Sequence, residues 1–369
     1  MSASRRPRGF EGLRIVDCDV HPKEGPTLLE FLPERWRTYL DRAGRRTLPS
    51  YGVTVPGKPG ALRRDAAPPD GSPIGSNPGF AQEQLLDEYG IEAAVLMNID
   101  VLASGGVPTA LELELVRATN DLHLDVWLAS DPRWLAAISI SPDHEREAVD
   151  EIVRCGSRSD RFVQVLTSSK TERPAGNPKY WPIYEAAAEH DLPVAIHVGP
   201  NRFHQWTGLR TPTYYYEMHS GNPLQALAAV PSLIFEGVFD RIPTLKVALI
   251  ELGWDWVVPY AWRLDSTWRL LRDEVPHLER KPSDYLRDHF WFSTQPAVEP
   301  EDPRDLQDVW RQFSEFGLAD RLMFSSDYPH WDMDSPFESL PPGLTNREKE
   351  KILAVNAASL YRLPVAAAA

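Results

Sequence analysis

The chain has 369 residues, 42% of them hydrophobic, with 12 Trp, 12 Tyr and 13 Phe, so it can bury a large core. Its formal charge of −14 argues against a nucleic-acid partner, because phosphate binding needs a basic surface. No run of about 18 apolar residues could span a membrane, and Cys18 and Cys155, in no C-x-x-C spacing, exclude a disulfide scaffold and a zinc ribbon.

The N-terminus MSASRRPRGFEG is basic but has no apolar stretch after it, so residues 1–12 read as an arm and the protein is expected to be cytoplasmic. Residues 13–22, LRIVDCDVHP, form the first strand candidate. Leu13, Ile15, Val16 and Val20 favour burial, and Asp17, Asp19 and His21 share a parity. In a regular strand, positions i, i+2 and i+4 lie on one face. Two carboxylates and an imidazole at a buried strand end are costly without a positive neutraliser, and a divalent metal is the simplest one. The plain alternative has Asp19 bonding loop backbone and His21 as a buried polar residue. Cys18, of opposite parity, is expected to pack outward against a helix.

The next stretch, TLLEFLPERWRTYLDRAG, reads as a helix capped by Thr27, with Glu30 completing a capping box. From about residue 45 to 79 the chain is rich in Pro and Gly and has no sustained period, which marks a long insertion after strand one. From Phe80 helical patterns alternate with short apolar runs: IEAAVLMN, WLAAISIS, RFVQVLT, LPVAIHV, TLKVALIEL, HFWFSTQ and RLMFSSD. With the first strand this predicts an α/β protein, a (β/α)8 TIM-like barrel forming a single domain over 13–361, followed by a tail at 362–369. A doubly wound open sheet is the runner-up. It is disfavoured because no G-x-G-x-x-G follows strand one.

Barrel enzymes draw their catalytic residues from the C-terminal ends of strands. Asp19 and His21 close the first strand, and His197, Glu251 and Asp327 close LPVAIH, TLKVALIE and RLMFSSD. Each of the later three has the parity expected of interior neighbours: Ala195 before His197, Val247 and Leu249 before Glu251, Met323 and Ser325 before Asp327. Singly, each has a structural explanation, as a core histidine, a strand-end acid or a turn aspartate. Together they form a ligand set for one or two divalent ions, Zn, Mn or Fe.

The ordered set of D-x-H on strand one, AIHVG, GVFDRIPTLKVALIELGWDWVVPYAWRLD and MFSSDYPH resembles the amidohydrolase superfamily. The resemblance is to the branch with aminocarboxymuconate-semialdehyde decarboxylase and the resorcylate decarboxylases. It runs from about Leu13 to Leu360 and includes IEAAVLMN and the Thr119–Asp121 element. It implies a metal-dependent barrel in which Asp19, His21, His197 and Asp327 match the ligand positions. That branch usually ends strand six in a histidine serving as acid or base, where this chain has Glu251. Asp19, Asp17, Glu251 and Asp327 are many carboxylates for one ion and suit two. Asp17 reads as a support behind the ligands.

His219, in YYYEMHSGN, is a candidate substitute for the strand-six histidine, and His330, in SDYPHWD, a candidate substrate-binding residue beside the site. His204 ranks below them. Trp206, Tyr214, Tyr215 and Tyr216 suggest an aromatic substrate wall, and Arg202 and Arg210 could hold a substrate carboxylate or pair with surface acids. The leading expectation is a metal-dependent hydrolase. Metal-activated water would cleave an amide, ester, lactone or thioester, with Asp327, Glu251 and His219 as catalytic groups. Glu251 is also a candidate ligand. The alternative, implied by the resemblance, is metal-dependent non-oxidative decarboxylation of an aromatic or unsaturated acid. A non-enzymatic barrel with a remnant metal site is a third reading. The partner is a small-molecule substrate, and a homodimer is an analogy with large barrels of this family.

Overall fold

Short runs of Val, Ile, Ala and Phe become strands here because both faces of each run are covered by apolar side chains. The strands of the computed structural model are β1 Val16–Val20, β2 Ala93–Leu96, β3 Trp134–Ser139, β4 Phe162–Ser168, β5 Val194–His197, β6 Val247–Ile250, β7 Phe290–Ser293 and β8 Leu322–Met323. Residues 6–23, 25–44, 62–99, 107–169, 171–198, 214, 217 and 219–364 are described. The strands pair in parallel in chain order, with registers such as Ser168 opposite His197 and His197 opposite Ile250. A bridge between Val20 and Tyr328, and bonds from Cys18 N to Phe324 O (3.1 Å) and His21 N to Tyr328 O (2.7 Å), draw the last strand to the first. The result is the nearly closed (β/α)8 barrel expected from the sequence.

Helices cover the outside: α1 Glu34–Arg42, α2 Thr109–Leu122, α3 Glu145–Gly156, α4 Trp181–Glu189, α5 Pro223–Phe235, α6 Val257–Leu271, α7 Pro282–His289, α8 Pro303–Phe313 and α9 Asn356–Tyr361. The capping box expected at Thr27 and Glu30 does not form. Pro26–Phe31 is a 3-10 turn without a side-chain cap, and the α-helix begins at Glu34 after Pro33. No helix among the described residues is long and apolar enough to cross a membrane.

The core has two layers. Val16, Val95, Leu135, Val163, Ala195, Ala248, Trp291 and Met323, one from each strand, belong to a cluster that fills the barrel interior. The other strand faces, such as Ala94, Leu96, Ile138, Ile196, Leu249 and Phe292, pack with the helices in a second, larger cluster. Each fully buried Leu, Ile or Phe contributes roughly 1.5–3 kcal/mol, so a few kcal/mol of strain or crowded charge at the strand ends is tolerable.

Cys18 belongs to the interior cluster with Val16, not to the helix-facing one as expected. A register shift between Asp17 and Val20 breaks the alternation of β1, so three polar residues of one parity do not share one face.

The described part of the insertion lies along the site-bearing loops. Leu62 bridges His330, Arg63 N donates to Pro329 O (3.0 Å), and Lys23 N donates to Gly75 O (2.8 Å). Gly75 has φ +79°, and a Cβ there would lie 3.1 Å from Lys23 Cγ and 3.2 Å from Pro329 Cγ. Only glycine suits so close an approach with a left-handed backbone.

Candidate metal centre

Beyond the register shift, β1 presents Asp19 and His21 at its C-terminal end, both buried. His21 Nδ1 lies 2.8 Å from the Met97 carbonyl, which fixes the ring proton on Nδ1 and leaves the Nε2 lone pair facing inward. That Nε2 is 3.0 Å from Asp19 Oδ1 and 2.7 Å from Asp327 Oδ1. A lone pair against two carboxylates is repulsive unless a proton or a cation lies between them. At the end of β5, His197 is held the same way, with Nδ1 2.6 Å from the Val198 carbonyl. Its Nε2 points to Asp19 Oδ2 (3.5 Å) and Glu251 Oε2 (3.3 Å).

Glu251 reaches the site by an unexpected route. Ala248 and Ile250 are the residues of β6 in the barrel interior, while Val247 and Leu249 face the helices. Parity would therefore turn residue 251 outward. A left-handed backbone at Glu251 (φ 56°) breaks the alternation, and Asn222 Nδ2 donates to its Oε1 (3.0 Å). Asp327 is also left-handed (φ 62°), with its amide donating to Asp19 O (3.1 Å). Such conformations cost roughly 1–3 kcal/mol each in non-glycine residues and cluster at functional sites.

Around Asp327 the two oxygens are divided. Oδ1 faces His21 and His330 Nδ1 (2.7 Å), and Oδ2 accepts from Gln295 Nε2 (3.2 Å). The His330 ring packs on His21 with centroids 4.6 Å apart. Further out, Gln295 Nε2 also reaches Asp332 Oδ2 (3.2 Å), which lies 2.6 Å from His219 Nε2. Trp331, half exposed, has its ring centroid 5.8 Å from that of His219. Asp17 stands behind the site, its Oδ1 accepting from the amides of Asp19 (3.1 Å) and Ser326 (3.0 Å).

These contacts set the protonation states. Burial pushes the Asp19 carboxyl up, but His21 and His197 more than offset it and hold it below the usual range. Burial alone would lower His21; Asp19 and Asp327 instead raise it well above the ordinary imidazole value. Asp327 is held low by His330 and His21 against the cost of burial. Glu251 goes the other way, raised well above the usual range by burial and then by Asp327 and Asp19. Burial raises Asp17 and Asp334 to about 7, and the bond to Asp332 raises His219.

The donor set fits a divalent cation. His21 Nε2, His197 Nε2 and both Asp19 oxygens are buried without a hydrogen-bond partner, and all four face one another. Among the described residues, Asp19, His21 and His197 form one group able to hold an ion, and His21, Asp327 and His330 a second. Imidazole nitrogen with carboxylate oxygen suits Zn, Mn or Fe.

Of the residues singled out in the sequence, Asp19, His21, His197, Glu251, Asp327, His330 and His219 are thus brought into one connected region. Trp206, Tyr215 and Arg202, with His204, Arg210 and Tyr216, lie outside the described residues. Sequence reasoning missed Gln295, Asn222, Asp332 and Asp334. Gln295 was signalled weakly, as the polar residue closing HFWFSTQ.

The barrel resembles solved structures along its length. A 5-carboxyvanillate decarboxylase from Novosphingobium aromaticivorans, complexed with manganese, matches at TM-score 0.69 and 17% identity, covering 98% of this chain and 100% of the other. A 2,6-dihydroxybenzoate decarboxylase from Rhizobium matches at TM-score 0.65 and 21% identity, covering 95% and 99%. At these identities the likeness speaks to the fold. In sequence, 2-amino-3-carboxymuconate-6-semialdehyde decarboxylase from Dictyostelium discoideum is 25% identical over 174 residues, 46% of each chain, so the match spans about half of that relative.

The curated sequence relative corrects the expectation of a hydrolase, because it carries the name of a decarboxylase. That expectation leaned on Glu251, which stands where the resembling branch carries a histidine, and on a set of carboxylates that suits two ions. Asp17 is spent on backbone amides, and Glu251 is buried beside other acids that favour its protonated form. The two ion-binding groups, moreover, share the one inward nitrogen of His21. A sequence model of the amidohydrolase family matches residues 16–363, and the chain belongs to that family.

Proposed function

We propose that this chain is a divalent-metal-dependent, non-oxidative decarboxylase of an aromatic or unsaturated carboxylic acid. The observation that carries the reading is the convergence of buried, unpartnered atoms of Asp19, His21 and His197 beside Asp327, in a family member whose curated relative is a decarboxylase. Asp19, His21, His197 and Asp327 hold one ion, since His21 has a single inward nitrogen to offer. The manganese printed for a structural neighbour makes Mn²⁺ the first ion to test.

When bound, the ion serves as a Lewis acid that steadies the substrate carboxylate and the negative charge developing beside it. The protein's own part is proton management. The carbon bearing the carboxylate takes a proton, the carbon–carboxylate bond breaks, and its electron pair returns to the unsaturated system as CO₂ leaves. Beside the ion-binding set, burial shifts Glu251 toward its protonated form, and the bond to Asp332 shifts His219 the same way. His330 and Gln295 keep Asp327 oriented.

The test uses Mn²⁺-loaded protein with 2,6-dihydroxybenzoate, 5-carboxyvanillate and a wider set of aromatic and unsaturated acids in ¹⁸O-water. CO₂ release with no ¹⁸O in the organic product is expected. Ester or amide cleavage with ¹⁸O uptake, and no CO₂ from any acid, would overturn the reading.

A further inference from the structure

Gln295 is fully buried just beyond β7, and its backbone is laced to the end of β8. Its amide donates to Ser325 Oγ (3.1 Å), its carbonyl accepts from Ser293 Oγ (3.2 Å), and the preceding amide, of Thr294, donates to Met323 O (2.9 Å). The side chain therefore starts from a fixed point. Its Nε2 lies between two carboxylates, Asp327 Oδ2 and Asp332 Oδ2, each at 3.2 Å. Nitrogen must occupy that position, because a carboxamide oxygen there would meet two acceptors.

The two N–H bonds of one carboxamide share a plane, so they cannot be aimed independently. Turning the group to follow Asp332 turns it away from Asp327. Asp327 uses its other oxygen toward His21 and His330, and Asp332 is bonded to His219. His219, Asp332, Gln295 and Asp327 thus form one hydrogen-bonded string from the mouth of the site to an ion-binding carboxylate.

We propose that Gln295 is a positioning residue that joins the orientation of Asp327 to the His219–Asp332 pair, so that a change at the mouth is felt as a change in metal affinity. This rests on the ion-binding reading above, but not on the reaction assigned to it. Partners that orient a metal-binding group typically alter affinity about 10–100-fold when removed. Coupling between sites is reciprocal, so a ligand engaging His219 and Asp332 changes ion affinity by the factor by which the ion changes that ligand's affinity.

The experiment measures Mn²⁺ dissociation constants by electron paramagnetic resonance of the free ion. It compares wild type, Gln295→Met, Asp332→Ala and the double variant, with metal-free melting curves as a check of folding. Gln295→Met keeps the length and removes both donors. It is expected to weaken binding about 10–100-fold. Asp332→Ala, which removes nothing that touches the ion, is expected to weaken it several-fold, and to add nothing once Gln295 is Met. Additive effects, or Asp332→Ala matching wild type, would overturn the proposal. Should Gln295→Met not fold, wild type decides: diamagnetic Zn²⁺ should shift the His219 imidazole resonances, less so in Asp332→Ala, and an unchanged His219 spectrum overturns the proposal. No arm reads turnover. A protein that shows the coupling but releases no CO₂ removes the decarboxylase reading alone, and an active decarboxylase without coupling removes this one alone.

Discussion

Asp327→Asn is the most direct perturbation of the centre, because it keeps the shape of the side chain and removes its charge. The carboxylate places Oδ1 2.7 Å from both His21 Nε2 and His330 Nδ1, and Oδ2 3.2 Å from Gln295 Nε2. An amide can satisfy only one side. Turned one way, its NH₂ meets the donor of Gln295; turned the other, it removes the acceptor that faces His21. Hydrogen bonds to charged groups are worth about 1.5–3 kcal/mol each, and breaking a buried charge pairing costs about 3–5 kcal/mol. Assigned to the ion, the larger range is a loss of about 10²–10⁴-fold in affinity. Mn²⁺ titration of the variant measures it, and melting in EDTA confirms that the barrel has formed. A folded Asp327→Asn protein that binds Mn²⁺ within about tenfold of wild type would refute the argument.

Glu251→Gln carries the opposite sign in metal-free protein. Burial and the neighbouring acids raise the Glu251 carboxyl, so the stability linked to its protonated form is full below 4.5 and is lost as pH rises through its folded value. Glutamine cannot ionise. The variant should gain on wild type in urea melts as pH rises above 4.5, and a constant difference between the two would contradict this. His123 is buried with no hydrogen bond to either ring nitrogen, and burial lowers it from 6.5 to about 3. The unfolded chain takes up this proton first, so wild type loses stability as pH falls below 6.5, by roughly 3 kcal/mol at pH 4. His123→Leu should remove that part of the pH dependence, and parallel stability curves for the two proteins would argue against it. Gly75→Ala places a Cβ against Lys23 and Pro329 on a left-handed backbone. Its expected cost is about 1–3 kcal/mol by thermal melting, and a variant as stable as wild type would show that the insertion does not bear on this loop.

Much of the barrel was legible because its strands are short apolar runs between helical patterns, and because metal-type residues close β1, β5 and β8. What was illegible depends on backbone detail. Val16 and Cys18 face inward before the shift within β1, the shift brings Asp19 to the site against that parity, and the left-handed turn at Glu251 does the same for that residue. No periodic pattern announces either event. Gln295 and Asn222 were illegible for a different reason. Amides have no preferred metal or charge partner, so their place in a site emerges only from the carboxylates they meet.

The seam where β8 meets β1 has a thermodynamic consequence. Asp19 stands near the beginning of the chain and Asp327 near its end, and the bond from Asp327 N to Asp19 O lies across that seam. A chain that has not yet joined its last strand to its first lacks the full ligand set, however well its other strands are formed. Ion binding therefore rewards closure itself, by about 2.7 kcal/mol when the free ion is at 100 times its dissociation constant. A cation held there would act as a clasp on the completed ring, and its scarcity would be felt first as fraying of β8 from β1.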